Sequence, residues 1–389
     1  MILCKEIVLE SVSTFWGLRL LLLAVLMFCG WGIAYKNNNN NYFWYYAIPI
    51  IILYTLIQGL RFDRGVDYPH YAQELQYDLY AGTGITREFL YDFFVLFMRN
   101  FNIPFYFGFL FYSWLFITGF MLVVKHFQKY AFWIIPIFYL LTLDASENFI
   151  RQFIAISFLF FAYNSYLQNK IKKMYVMLIL IPLIHLSGLF AVGVFLLCVY
   201  VNFTKFIKSA LPLLGFYIIL TVVWNVANMD IFADMLQSSA DSFEDTNFEV
   251  YADNSERWFT SDGDLDAAMG IENSIVREIT GFLCNCAIIW FGFAVCRRDP
   301  RFGIAYYSTY LAIIIGAVGG NIELVNRMAW WLWPFAPIII GGVLQPDKKY
   351  TVTSWVLIGL FIVTYYVKFF MQVGKPGLFG SAFVWDIVQ

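Results

Sequence analysis

The sequence predicts an all-α, polytopic transmembrane helical bundle of about ten to twelve passes, and three observations predict it. The 389 residues are 61% hydrophobic and 21% aromatic but only 13% charged, against roughly 25% charged residues in a soluble domain. Apolar runs of membrane-spanning length recur along the whole chain. Basic clusters alternate between those runs in the order expected of cytoplasmic loops. No water-soluble fold of this length hides so much apolar surface, so the bilayer is the predicted solvent.

The runs fall at 15–35, 43–60, 104–124, 131–143, 147–167, 174–186, 187–203, 209–228, 276–296, 302–320, 328–345 and 350–371. Crossing the hydrocarbon core takes about 20 helical residues, so 131–143 and 174–186 are short for the task and read as thin passes, tilted pieces or re-entrant segments. The first run exceeds a signal-peptide core and lacks a clear cleavage site, so it reads as a pass. Lys125/Lys129, Lys170/Lys172/Lys173, Lys205/Lys208, Arg297/Arg298/Arg301 and Lys348/Lys349 mark the cytoplasmic side. Two of these clusters flank 174–203, which must therefore go out and return, turning at Ile184-His185-Leu186-Ser187-Gly188. The same alternation places 61–103, 144–148, 229–275, 321–327 and both termini outside. The segment 229–275 holds twelve acidic residues against the single basic Arg257. No internal repeat or soluble-domain boundary is visible. The reading is one membrane domain, 1–389, with a charged external segment at 61–103 and an acidic external loop at 229–275.

Composition also excludes classes. A net charge of −2 is wrong for a nucleic-acid binder. The six cysteines show neither C-x-x-C nor paired-loop spacing, so no disulfide framework or metal site is indicated. Asp262-Gly-Asp264-Leu-Asp266 resembles the start of a calcium loop, but Ala267 stands where the turn needs glycine and Asn273 where a bidentate Glu belongs. No cofactor is expected.

Charges in or beside membrane segments are expensive and mark function more often than chance. Here they gather at the predicted outer face. After the second run the chain reads Arg61-Phe-Asp63-Arg64-Gly65-Val-Asp67-Tyr68-Pro69-His70-Tyr71. Arg61 and Arg64 share a helical face or flank a turn at Gly65, and can both reach one phosphate-bearing group. Asp67 can orient one of them or act as a base. The alternative is an interfacial salt-bridge cluster. Asp144-Ala-Ser146-Glu147-Asn148-Phe149-Ile150-Arg151-Gln152 follows, with Ser146 as the expected N-cap and Arg151 a turn inside the next helix. Arg151 either snorkels to the interface or points inward to hold an anion.

His185, at the outer turn of the short hairpin, is either a satisfied buried residue or a base. It has no histidine neighbour at metal-ligand spacing. Asn321-Ile-Glu323-Leu-Val-Asn326-Arg327-Met328 precedes a tryptophan cluster, Trp330-Trp331-Leu-Trp333. Arg327 suits a phosphate and Trp330 a sugar ring. Arg277, with Glu272 and Asn273, opens another helix on the same side. The segment 86–101, carrying Arg87, Glu88, Asp92 and Arg99, is amphipathic and reads as an interfacial helix beside the cavity. Separate parts of the chain thus send cations to one face, as a site for an anionic, membrane-tethered ligand would require.

Arg61, Gly65, Asp67, Tyr68 and Tyr71, then Asn148, Arg151 and Gln152, then His185-Leu-Ser187, then Asn326-Arg327-Met328 occur in an order that resembles the EpsG family, the Wzy-type bacterial polysaccharide polymerases. The acidic loop is bulkier than that pattern. The resemblance implies a GT-C-like membrane glycosyltransferase in the bacterial cytoplasmic membrane, acting outside on undecaprenyl-diphosphate-linked glycans as donor and acceptor, without a metal. For that chemistry the residues themselves offer Arg61, Arg64, Arg277, Arg327, Tyr68, Tyr71, Asn148 and Gln152 for diphosphate and sugar binding, and Arg151 with His185 or Asp67 as base for catalysis. Whether a chain-length regulator binds, and whether the product is O-antigen, capsule or exopolysaccharide, stays open. The rival readings are a lipid-linked oligosaccharide flippase, which should show inverted repeats or broken midplane helices, and an O-antigen-ligase-like transferase, which the large external loop would suit.

Overall fold

In the computed structural model the described residues are 12–36, 42–65, 67–77, 88–201, 203–223, 275–319, 323–345, 351–367, 369 and 382–384. Helices occupy every one of the twelve apolar runs. In chain order they are α1 (Val12–Trp31), α2 (Phe43–Gly59), α3 (Tyr68–Gln76), α4 (Phe89–Asn100), α5 (Phe105–Val124), α6 (Ala131–Asn148), α7 (Ile150–Leu167), α8 (Ile171–Ile184), α9 (Gly188–Tyr200), α10 (Phe203–Phe206), α11 (Leu211–Val223), α12 (Ile275–Arg298), α13 (Gly303–Gly319), α14 (Glu323–Trp330), α15 (Ala336–Leu344) and α16 (Val352–Phe361). Single π-turns extend α1 and α16. The all-α polytopic membrane bundle is therefore the fold.

Five segments cross a bilayer on length and composition alone: Phe15–Lys36, Phe105–Val124, Glu278–Arg298, Pro300–Gly319 and Val325–Leu344. Exposed apolar side chains such as Phe28, Tyr45, Ile52, Ile179 and Leu189 cover outward faces, which is stable only with hydrocarbon as the solvent. The hairpin of α8 and α9 has 14 and 13 residues, about 21 and 20 Å at 1.5 Å per residue, so neither arm alone spans a core about 30 Å thick. The 131–143 run is longer than it seemed. Its helix α6 continues through the more polar stretch 144–148 to 18 residues.

The chain divides into two compact units, Met1–Leu197 with Ile340–Gln389, and Cys198–Ile339. In the first, α5 packs between α2 and α7, α7 packs on α8, and α1 lies against α2 and α6. Its core is aromatic. Phe120 stacks on Phe138 and both meet Phe160, while Phe116 contacts Phe138, Phe153 and Phe160. A Cβ at Gly119 would lie 2.9 Å from the Ser157 carbonyl oxygen, so glycine permits the close approach of α5 to α7 on which packing depends where hydrocarbon supplies no hydrophobic force between helices. In the second unit α13 packs on α11, α12 and α14, and the Tyr306 hydroxyl donates to the Ile289 carbonyl at 2.9 Å.

One element is absent from the sequence reading. Arg61–Phe62 forms a two-residue antiparallel ladder with Ala382–Phe383, Arg61 opposite Phe383. A pair this short carries no periodicity of its own, and it ties the end of the chain to the segment that follows α2.

Candidate functional site

The first unit has two chemically distinct ends. One gathers lysines and amides: Lys125 lies over the Trp44 ring, and His126 Nε2 pairs with Asn164 Oδ1 at 2.9 Å. The other gathers arginines, carboxylates and His185. The predicted alternation had put Arg61–Tyr71, Asp144–Arg151 and His185 on one side, and direct side-chain contacts now join them.

The chain reaches this end through a sharp corner after α2. Asp63 and Gly65 both take positive φ, 48° and 108°. Only glycine adopts the second freely, and a Cβ at Gly65 would also strike the Glu147 carbonyl oxygen and crowd Asn148 Oδ1 at 3.2 Å. Asp67 then precedes α3 without capping it through its side chain. The Tyr68 ring is buried and stacked on Phe109, centroids 4.5 Å apart, and its hydroxyl donates to the Arg61 carbonyl at 2.8 Å. Tyr68 thus anchors the corner and has no face left for a sugar.

The second corner joins α6 to α7. Ser146 does not cap α7. It lies in the last turn of α6 and donates Oγ to the Leu143 carbonyl at 2.9 Å, while Asn148 Nδ2 donates to Asp144 O at 3.1 Å. These local bonds compete with the helix, and α6 ends one residue later, at Phe149 (φ −88°, ψ 56°). Arg151 is consequently the second residue of α7, not a turn inside it. The corner sends Glu147 and Arg151 into two different clusters.

The Glu147 cluster is sealed. Its carboxylate accepts from Arg19 Nη2 at 2.5 Å and from Arg64 Nε at 2.6 Å, and both guanidinium groups lie over the Phe15 ring. Arg61 is buried beside it, donates Nη1 to the Gln58 carbonyl and rests over Tyr68 and Phe109. The cavity that Arg61 and Gln58 line has a volume of about 30 Å³, which is water-sized, and Arg64 is not among its lining residues. In this structure Arg61 and Arg64 therefore do not present a joint phosphate clamp; the salt-bridge alternative describes Arg64.

The second cluster is open. Side-chain exposure is 32% for Arg151, 27% for His185 and 14% for Glu88, against 0%, 3% and 9% for Arg19, Glu147 and Arg64. Arg151 donates Nη1 to Glu88 Oε2 at 2.8 Å and Nε to the Tyr71 hydroxyl at 3.2 Å, and lies over the Tyr71 and Tyr91 rings at 5.6 and 5.4 Å. His185 leaves α8 in an extended conformation (φ −155°, ψ 112°), which carries its Nδ1 to 2.7 Å from Glu88 Oε1; the Leu186 N–H donates to the same oxygen at 3.2 Å. Burial pushes the Glu88 carboxyl up, but the His185 hydrogen bond, the Arg151 charge and the Leu186 N–H outweigh it and hold it below the ordinary carboxylate value. Burial raises the Tyr71 phenol despite Arg151 beside it, so Tyr71 serves as a neutral hydrogen-bonding group.

The remaining candidates lie elsewhere. Gln152 is buried on α7, and Asn148 is engaged at the corner. Arg327, on α14, and Trp330 are half-buried parts of the second unit. The Arg277 side chain, the acidic loop but for Ile275, the calcium-like stretch and Arg87 lie outside the described residues. Among the described residues no group of three His, Cys, Asp or Glu side chains could hold a metal ion. The helix α4 turns Phe89, Phe93, Leu96 and Phe97 outward, as does Phe101 just beyond it, and buries Tyr91, Val95 and Met98. Its Tyr91 and Arg99 bind Glu74, at 2.8 Å each, so its polar groups serve the site side.

Sequence reasoning passed over Glu88 as a site residue and Arg19 altogether. Arg19 left a signal, as the one charge inside the first apolar run. Glu88 left none, because its partners are 63 and 97 residues away.

The fold and this charged, partly open cluster define a polytopic membrane protein that gathers polar groups from distant segments at one end of its first unit. The EpsG family matches residues 43–383, and the chain belongs to that family of Wzy-type polysaccharide polymerases. It is a membrane polysaccharide polymerase. No curated protein and no solved structure matches it.

Proposed function

We propose that the protein is a glycosyltransferase that polymerises undecaprenyl-diphosphate-linked oligosaccharide units at the outer face of the bacterial cytoplasmic membrane, for a surface polysaccharide. The observation that carries the assignment is the Glu88–Arg151–His185 cluster. It is assembled from three distant segments, it is the more exposed of the two charged clusters, and it pairs a fixed guanidinium with an imidazole.

The growing glycan on its lipid diphosphate is the donor, and a hydroxyl of a new lipid-linked unit is the acceptor. The bond from the anomeric carbon to the diphosphate oxygen breaks and its electron pair stays on the diphosphate. The acceptor oxygen forms the new glycosidic bond and its proton passes to His185. Negative charge thus develops on the leaving group, and Arg151 is the group placed to meet it, aided by the positive end of the α7 dipole. Guanidinium groups in a low-dielectric site supply this stabilisation in place of a divalent ion. A positioned base typically contributes 10²–10⁴-fold, which is the loss expected for His185→Ala. Asp67, one turn before Tyr71 and within electrostatic range of it, is the second candidate for that role.

The sealed Arg19–Glu147–Arg64 cluster holds the two corners in register, so that Tyr71 and Arg151 meet. The test is synthesis by the purified protein in nanodiscs from a synthetic lipid-diphosphate-linked repeat unit. A ladder of lengthening glycans supports the assignment; release of free oligosaccharide or transfer to another lipid without lengthening would replace it with the ligase reading.

A further inference from the structure

We infer that Glu88 is a positioning residue that locks His185 in the tautomer a base requires and spaces it from Arg151. The inference rests on the polymerase assignment for its kinetic consequence but not for its structural one. Three donors converge on the carboxylate: Arg151 Nη1 on Oε2, and His185 Nδ1 and the Leu186 N–H on Oε1. An ionised carboxylate accepts and cannot donate. Arginine only donates, and so does a peptide N–H. His185 Nδ1 must therefore carry its proton toward Glu88, and in the neutral ring Nε2 is the nitrogen with the lone pair. The described groups packed against the pair agree with this state: Arg151 from α7, the Tyr71 and Tyr91 rings under Arg151 from α3 and α4, and the peptide of Leu186 beyond α8. Glu74, the nearby carboxylate on α3, is bound to Tyr91 Oη and, through its carbonyl, to Arg99.

The arrangement has a consequence for substitution. A glutamine at position 88 has the same shape but only one accepting atom. If its oxygen faces Arg151, its NH₂ faces His185 and forces Nδ1 to accept, which moves the ring proton to Nε2. If its oxygen faces His185, NH₂ opposes the Arg151 donor. No orientation satisfies all three partners, so the requirement is for the carboxylate and not for the volume.

The chain has three histidines, His70, His126 and His185, so ¹⁵N-histidine labelling gives three ring systems that single substitutions assign. The expected result is that the neutral form of the wild-type His185 ring carries its proton on Nδ1 and leaves Nε2 bare. In Glu88→Gln the ring shifts to the Nε2–H form or to a mixture, and the glycan ladder forms about 10²-fold more slowly, the lower end of a base's contribution. A wild-type ring in the Nε2–H form overturns the inference. So does a Glu88→Gln variant in which both the ring and the rate are unchanged, or a changed ring with an unchanged rate. If Glu88→Gln does not fold, the wild-type ring signals alone decide. A wild type that makes no ladder refutes the polymerase assignment, while the ring signals still test Glu88.

Discussion

Replacing Glu147 by glutamine should be the most damaging isosteric change in the first unit. Its carboxylate holds Arg19 at 2.5 Å and Arg64 at 2.6 Å, with all three side chains buried, and the buried Arg61 lies in the same electrostatic neighbourhood. Glutamine keeps the volume and can still accept one hydrogen bond, but it leaves at least two buried guanidinium groups without a counter-charge. Breaking a buried pair by removing one partner typically costs about 3–5 kcal/mol. A charge pair at 4 Å is worth about 4 kcal/mol at an effective dielectric of 20, which supports the same range. The assay is thermal unfolding in nanodiscs, followed by intrinsic tryptophan fluorescence, for wild type, Glu147→Gln and the triple variant Arg19→Met/Glu147→Leu/Arg64→Met. The single variant should be destabilised by about 3–5 kcal/mol. The triple variant should recover much of that, because replacing a whole buried ionic group by apolar side chains is often neutral or stabilising. A single variant within about 0.5 kcal/mol of wild type, the range of an ordinary surface change, would refute the placement of Glu147 as the buried counter-charge.

Further outcomes follow from the same geometry. Gly65→Ala must place a Cβ at φ 108° against the Glu147 carbonyl, and strain of this kind costs about 1–3 kcal/mol; a lowered unfolding temperature checks it. Tyr68→Phe keeps the stack on Phe109 and loses only the bond to Arg61 O, about 1 kcal/mol, so the ladder should persist at near wild-type rate. Arg151→Lys supplies a point charge that cannot hold Glu88 and the Tyr71 hydroxyl together, and ladder synthesis should fall at least tenfold. Glu88 is held below its ordinary value of 4.5 in the folded protein, so its contribution to stability is complete above that pH and is lost as the pH falls through the folded value. Unfolding temperature should therefore decline below about pH 4.5, and less steeply in Glu88→Gln.

The membrane fold was legible because it depends on composition and on runs of about 20 residues, both local properties. The candidate site was legible in part as a cluster, not as a set of roles. Arg151, His185 and Tyr71 stood out as polar groups beside apolar helices, and loop alternation placed them on one side. What the sequence could not show is which charges neutralise each other. Arg61 and Arg64 read as a phosphate clamp, yet Glu147, 83 residues from Arg64, takes Arg64 into a buried ion group. The α6–α7 corner was misplaced for a related reason. Ser146 suits an N-cap in isolation, but here its hydroxyl is bound back to Leu143, inside the preceding helix. Each of these depends on pairings across the fold that no sequence window contains.

The most direct test of the central claim is glycan synthesis by wild type, Arg151→Ala and His185→Ala from a lipid-diphosphate-linked repeat unit, with folding of each verified. A wild-type ladder that is abolished in Arg151→Ala and slowed 10²–10⁴-fold in His185→Ala is the predicted result. A ladder of near wild-type rate in both variants would contradict the site, and no ladder from folded wild type with its own repeat unit would contradict the proposed reaction.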